Sequence, residues 1–539
     1  MKTRRLPKTM LPAVLLLFFC VEVSAASAGP PAAPAADPLP DYLIRELKRL
    51  DETWNVLDQF AGRIWPGWKS YTDVPFLFEY PNGVKMLVGH PSPTDDFNLV
   101  PGVEVRGKTV YLDRRKEIPL KMASPIIGGG GVVPFGKTKV VPTVNLKMSP
   151  VKPGETLKGE REVISSLPKE IVSSSDGQIL LNIHELFHGF QNTEYTSRYG
   201  NIRINPDATI ALYSEIEGLA LERAYLAADP EEARRCLRDF LIARRLKRTS
   251  MTRGEANEEA TDDIREGTAV FAETIVLELM KTGFKPNLSA KDDPYYFGFQ
   301  NASSFLRERI EDLRRRQKDV LDVRNKCYPY GCFQALLLGR LYPGWQEGFF
   351  KSGKFLDQIL REKLGFEDSG SDEQAVAALR ARYPVEAIAA RTGEIINKRD
   401  AALDAFLKRR GRVYMINFKP TDEFVLPKAR GESYPVGLIE IYPRGIETIE
   451  IRDVVFTGRE TPMIKEQLYY LKWIDSDDLS GEKDRFTLTY RRKEGTDVFF
   501  DAVFTAPGFT LKAPKIRVKT SPARIKVIVL GKIKESPAS

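Results

Sequence analysis

His184-Glu185-Leu186-Phe187-His188 is the stretch whose residue types and spacing could do chemistry. Positions four apart share one face of a helix, so two imidazoles aim at one point that suits a zinc ion. Glu185 then sets a carboxylate beside the metal, where it can take a proton from water. The chain has only three histidines, His90, His184 and His188, so two of them in this register argue against incidental polar residues on a core helix.

A catalytic zinc site takes a third protein ligand and keeps a fourth position open. Two downstream segments compete for that role: Glu215-Ile216-Glu217-Gly218-Leu219-Ala220, and Arg265-Glu266-Gly267-Thr268-Ala269-Val270-Phe271-Ala272-Glu273. Each puts Glu before Gly and a small residue in a helix-forming stretch, which lets a second helix approach the first closely. Residue patterns alone leave Glu217 and Glu266 both open.

The Glu266 segment resembles the E-G-x-A-x-(aromatic)-x-E helix of gluzincin metallopeptidases, in which the first Glu is the third zinc ligand. Farther on, Tyr328-Pro329-Tyr330-Gly331 and the apolar run after it are similar to the Tyr-x-x-Gly helix start of the aminopeptidase branch. The resemblance covers roughly residues 170–410. It implies Zn²⁺ held by His184, His188 and Glu266, with Glu217 as the alternative because the gap from His188 to Glu266 is longer than in those branches. It also implies Glu185 as general base, Tyr328 as donor to the oxyanion with Tyr330 an equally placed rival, and Glu273 as a residue supporting a ligand. No Gly-x-Met-Glu-Asn type element precedes His184, so the resemblance gives no support for aminopeptidase action.

Those groups need elements to position them. Ser175 and Asp176 can cap a helix with apolar positions Ile179, Leu180, Ile183, Phe187 and Phe190. The extra length before Glu266 reads as helices: Asp229-Pro230-Glu231-Glu232 marks a helix start, and Arg244, Arg245, Lys247 and Arg248 read as a solvated basic end. Upstream, 41–65 has helical spacing. Phe76 to Tyr80 and Val84 to Val88 flank the turn signal Pro81-Asn82-Gly83, and Thr109 to Leu112 and Val140 to Leu146 add strands. Gly131 to Thr138 fits a phosphate-loop pattern, but β-branched residues follow where a helix would be needed, so a Gly-rich loop is the better reading. Downstream, 355–364, 373–382 and 385–407 are helical. From Val413 to Leu530, Gly437 to Tyr442, Thr448 to Val455, Arg485 to Tyr490, Val498 to Phe504 and Ile525 to Val529 read as strands of a β-sandwich.

The expected fold is α+β: a zincin-like peptidase core, with a β-rich N-terminal subdomain and a mainly helical region, then a C-terminal β-sandwich. Boundaries fall at a signal peptide over 1–28, a Pro/Ala linker over 29–40, the N-terminal subdomain over 41–168, the zinc-peptidase region over 169–411 and the β domain over 412–539. Lys2, Arg4, Arg5 and Lys8 ahead of the apolar run from Met10 to Val21 read as a secretory signal, implying a secreted or periplasmic protein with no stable membrane span after cleavage. Export leaves Cys236, Cys327 and Cys332; the last two could bridge or stay as buried thiols, and no C-x-x-C zinc pattern exists. With 42% apolar and 29% charged residues over 539 positions, sizeable cores are expected. A net charge of +8 without any nucleic-acid-binding module excludes nucleic acid as partner. The expected function is a secreted zinc metallopeptidase acting on peptide or protein substrates; the alternative is an exported, catalytically silent peptidase-like binding or scaffold protein.

Overall fold

Helical periodicity opens the described part of the chain. A computed structural model describes residues 39–69, 71–80, 84–90, 96–115, 131–135, 138–145, 174–194, 204–300, 302–367, 371–408, 412–417, 428–430, 432–436, 439–444, 448–451, 454–458, 463–466, 470–475, 498–506, 509–521 and 524–530. Helix α1 (Asp41–Ile64) buries Leu43, Leu47, Leu50, Trp54, Leu57 and Ile64, the three-and-four spacing of one apolar face. The signal segment, nearly all of the linker, the Pro81-Asn82-Gly83 turn and the strand expected at Arg485 to Tyr490 lie outside the described residues.

Six strands follow: β1 (Phe76–Glu79), β2 (Lys85–Val88), β3 (Asn98–Val105), β4 (Lys108–Asp113), β5 (Gly131–Phe135) and β6 (Thr138–Asn145). They form one six-stranded sheet in the order β3-β4-β2-β1-β6-β5. Pairing is antiparallel except between β1 and β6. The expected hairpin is present, with Phe76 opposite Val88 and Glu79 opposite Lys85. The apparent phosphate loop is a β5–β6 hairpin, which offers no helix start to a phosphate. Sequence patterning missed β3 and β5.

Helix α2 (Ser175–Glu194) carries the histidines and packs on β6 and β5, so the outermost strand of the sheet runs beside it. Its cap differs from expectation. The Ser174 hydroxyl accepts from the Gly177 amide at 3.0 Å, while Ser175 Oγ donates to Asp293 Oδ2 at 2.6 Å. Asp176 accepts from the amides of Phe297 and Phe299 instead, which ties the helix start to a distant loop.

The helical region continues with α3 (Ala208–Leu226) and α4 (Pro230–Arg248), packed against each other, and α5 (Arg253–Asp262). A π-helical turn, Asp263–Gly267, leads into α6 (Thr268–Met280). Then come α7 (Ala302–Gln317), α8 (Cys327–Leu341), the single turn α9 (Phe349–Ser352), α10 (Leu356–Lys363), α11 (Asp372–Arg380) and α12 (Val385–Leu407). Asp229 caps α4 through the amides of Glu231 and Glu232, with Pro230 in the first turn, as its sequence implies. The basic end of α4 corrects a reading: Arg244 and Lys247 are 2% and 1% exposed, because Glu217, Glu259 and Asp263 surround them with opposite charge.

An aromatic cluster braces the back of α2. Trp65 stacks on Phe350 with centroids 4.8 Å apart and meets Phe187 edge-on at 5.3 Å, while Trp68 meets Phe187 at 5.0 Å. Phe187 is wholly buried. Offset and edge contacts of this kind each add to the burial of large apolar surface and fix the rotation of the helix.

The C-terminal strands are β7 (Arg412–Asn417), β8 (Lys428–Arg430), β9 (Tyr434–Val436), β10 (Ile439–Tyr442), β11 (Thr448–Ile451), β12 (Val454–Gly458), β13 (Met463–Glu466), β14 (Tyr470–Asp475), β15 (Val498–Ala506), β16 (Phe509–Ser521) and β17 (Arg524–Leu530). They form one hydrogen-bonded set of eleven in the order β8-β11-β12-β16-β17-β7-β14-β13-β10-β9, with β15 on β16. The stretch read as one strand over Thr448 to Val455 is two, β11 (Thr448–Ile451) and β12 (Val454–Gly458), paired antiparallel. The protein is therefore mixed helix and sheet, of α+β class. No helix among the described residues is long and apolar enough to cross a membrane.

Candidate metal centre

Helical spacing delivers both imidazoles to one place. The rings of His184 and His188 lie 4.6 Å apart at 86°, and with Glu185 they form a buried group that could hold a metal ion. His184 and His188 are each 7% exposed and Glu185 is 2% exposed. His90 is outside this group.

Each ring has its outer nitrogen engaged. His184 Nδ1 lies 2.6 Å from Glu273 Oε1, and the other oxygen of Glu273 takes Arg309. His188 Nδ1 lies 2.7 Å from Gln191 Oε1. The amide nitrogen of Gln191 donates to the carbonyls of Ile264 (3.2 Å) and Arg265 (2.9 Å) and to Thr268 Oγ1 (2.7 Å), which fixes its oxygen toward the ring. Both partners are acceptors, so both Nδ1 atoms must donate, and the lone pairs of the neutral rings sit on Nε2.

Those two Nε2 atoms face one oxygen. Glu266 Oε2 is 3.7 Å from His184 Nε2 and 3.5 Å from His188 Nε2, long for hydrogen bonds. A tetrahedral zinc with bonds of about 2.1 Å would separate its ligand atoms by roughly 3.4 Å, close to both nitrogen-to-oxygen separations here. The other oxygen of Glu266 is held by Arg265 Nε at 3.0 Å, leaving Oε2 directed at the rings. Among the carboxylates near the histidines, Glu266 thus turns one oxygen toward both Nε2 atoms, whereas the Oε2 atom of Glu185 is buried without a hydrogen-bond partner. Glu217 lies elsewhere: it is wholly buried between Arg244 and Lys247.

Electrostatics follow from that arrangement. Burial works against charge on His184, but Glu266 and Glu273 outweigh it and hold its imidazolium up to about 10. Burial would raise Glu266, yet the two histidines overcome this and keep it far below the usual carboxylate range. Glu273 is likewise kept low despite burial, by Arg309 and His184. For Glu185 burial wins over both histidines and raises the carboxyl. A metal ion bound at Nε2 would take the place of the proton on His184, since ligation needs the neutral ring.

Tyr328 and Tyr330 separate cleanly. Tyr328 is half-buried, its ring 6.5 Å from that of His184, and its hydroxyl is pushed upward by burial and by interaction with Glu266. Tyr330 is 2% exposed and donates to the carbonyl of Ser214 at 2.6 Å, a packing role. Cys327 and Cys332 are free, buried thiols. Five positions along one helix turn their side chains about 140° apart, which rules out the bridge.

Backbone contact fixes Tyr328 relative to Glu266. A Cβ on Gly331 would fall 2.1 Å from the Asp263 carbonyl oxygen, and one on Gly267 would fall 2.4 Å from Gly331 Cα. Only paired glycines allow α8 to touch the π turn so closely. Residue patterning did not find Gln191, Arg309 or the π turn. Gln191 was accessible, three positions after His188 on the same face, while Arg309 arrives from α7, which has no motif.

No protein-family model matches the chain, and no similar curated protein or solved structure was found.

Proposed function

We propose that this chain is an exported zinc-dependent peptidase of gluzincin type, with a zincin-like core and a C-terminal β-sandwich. The observation that carries the reading is the convergence of His184 Nε2, His188 Nε2 and Glu266 Oε2 at 3.5 and 3.7 Å, with both Nδ1 atoms pinned and a buried carboxylate oxygen of Glu185 alongside. Two imidazoles and one carboxylate with an open fourth position are a catalytic donor set. Zinc held there would act as a Lewis acid that polarises a carbonyl and makes water acidic near neutral pH.

The chain's own groups would do the rest. Glu185, raised by burial, is suited to accept a proton from water and pass it to the leaving amine. Tyr328 would donate to the carbonyl oxygen as negative charge develops there. The outer edge of β5, unpaired among the described residues and beside α2, would offer main-chain donors and acceptors to an extended peptide, a mode of binding that needs no particular side chain. In the C-terminal domain, one edge of β16 (Phe509–Ser521) pairs first with β12 and then with β17, as a strand shared by two layers would. The leader-like start of the chain supports action outside the cytoplasm.

Metal analysis with a broad peptide-library digest of wild type and Glu185→Gln tests the reading. Zinc in both proteins and cleavage only by wild type is the expected result; zinc in both with no cleavage by either would favour a binding or scaffold protein.

A further inference from the structure

The gap between His188 and Glu266 is filled by α3, α4 and α5, and the first two send buried charge to the turn that carries Glu266. Arg244 on α4 is the hub. It is 2% exposed, its Nε donates to Glu217 on α3 at 3.1 Å, and its Nη1 donates to Asp263 Oδ2 at 2.6 Å. Lys247, one turn on, bonds Glu217 and Glu259. Gln334 on α8 donates to the same Asp263 oxygen at 2.8 Å. Asp263 opens the π turn, and its carbonyl is the atom against which Gly331 packs.

A π turn inserts one residue into a helix, which rotates everything before it by about 100° relative to an uninterrupted helix. That rotation has a cost, since π turns are rare and persist where the surroundings impose them. Here Glu266 within the turn must face the Nε2 side of His184 while Glu273, on the regular helix that follows, reaches Nδ1. Buried ion pairs add little net stability and can often be replaced by apolar residues without loss. A cluster of Arg244, Lys247, Glu217, Glu259 and Asp263 in the interior is therefore poorly explained as a stabilising device. Its hydrogen bonds have direction, and the direction they fix is that of Asp263.

We propose that Arg244 is a positioning residue for the metal centre: α3 and α4 serve to hold the π turn, through Asp263, in the register that presents Glu266 to the two histidines. The inference rests on the metal-centre reading above. It also gives the long stretch before Glu266 a physical task, as the source of a guanidinium that a shorter connection would lack.

The test uses the full chain and reads metal binding apart from catalysis. Arg244→Met/Asp263→Leu removes both charges together, so neither is left buried alone. Arg244→Lys keeps charge but loses the fork that spans Glu217 and Asp263. Leu237→Ala, on the same helix and wholly buried, is the control: it weakens the packing of α4 and removes none of the charged groups around Asp263. Zinc affinity is measured by competition with a chromophoric chelator, coordination by the visible spectrum of the Co²⁺-loaded protein, and folding by thermal unfolding. The double variant should fold, bind zinc about 10- to 100-fold more weakly and shift the Co²⁺ bands. Arg244→Lys should lie between, and Leu237→Ala should keep wild-type affinity. Unchanged affinity and spectrum in the double variant would overturn the proposal, as would an equal loss in Leu237→Ala. Failure of wild type to bind either ion would instead remove the metal centre itself, and this inference with it.

Discussion

Glu273 Oε1 lies 2.6 Å from His184 Nδ1, and the second oxygen of Glu273 is occupied by Arg309, so one carboxylate sets both the tautomer and the tilt of the His184 ring. Glu273→Gln keeps the shape but weakens the acceptor. Zinc affinity should fall about 10- to 100-fold, with Tm changed by only a few degrees, as read by chelator competition and thermal unfolding.

Glu266 and Glu217 answer the same question from different places. Glu266→Gln should strip zinc from the purified protein while the fold survives, because the carboxylate faces the rings and is partly exposed. Glu217→Gln should do the reverse in degree. It leaves Arg244 and Lys247 short of a buried counter-charge, a loss of about 3–5 kcal/mol by the behaviour of broken buried pairs, with zinc weakened only through the turn. Metal content and denaturant unfolding of the two variants, compared side by side, decide it.

For the tyrosines, Tyr328→Phe should lower kcat by about 10²–10³ with little change in KM, if its hydroxyl meets the developing oxyanion. Tyr330→Phe loses the bond to the Ser214 carbonyl and should cost about 1 kcal/mol of stability while leaving kcat in place. Steady-state kinetics on one cleaved peptide separates them.

Thiol chemistry gives a check that does not depend on activity. Burial pushes Cys332 up to about 12 and Cys236 up to about 11, and raises Cys327 as well. Little thiolate exists at pH 8, so the native protein should react slowly with a disulfide reagent, and reaction should quicken only on approach to those high values or on unfolding. In denaturant without reductant, Cys236, Cys327 and Cys332 should all titrate; a missing pair would indicate the Cys327–Cys332 bridge.

Much of the centre was legible because its parts are local. Two histidines four apart, Glu185 between them and Glu273 seven after Glu266 all follow from helical period. The helices at 41–64, 356–363 and 385–407 were readable for the same reason, and the β1–β2 hairpin from its Asn-Gly turn. What stayed hidden is what the chain brings from afar. Arg244 reads as a solvated helix end, since nothing local announces that Glu217 and Asp263 will close over it. That Glu217 already has Arg244 and Lys247 for company was hidden in the same way. Ser175 reads as a cap because caps are local, whereas Asp293, to which it donates, lies 118 positions away.

The abutting glycines at 267 and 331 have one more implication. An added methyl, the smallest enlargement a glycine can undergo, would wedge the backbones apart and carry the proposed acid ligand and the tyrosine with them. Glycine-to-alanine exchange at position 331, which brings in no charge and no reactive group, is thus where a chemically mild lesion should displace Tyr328 from Glu266.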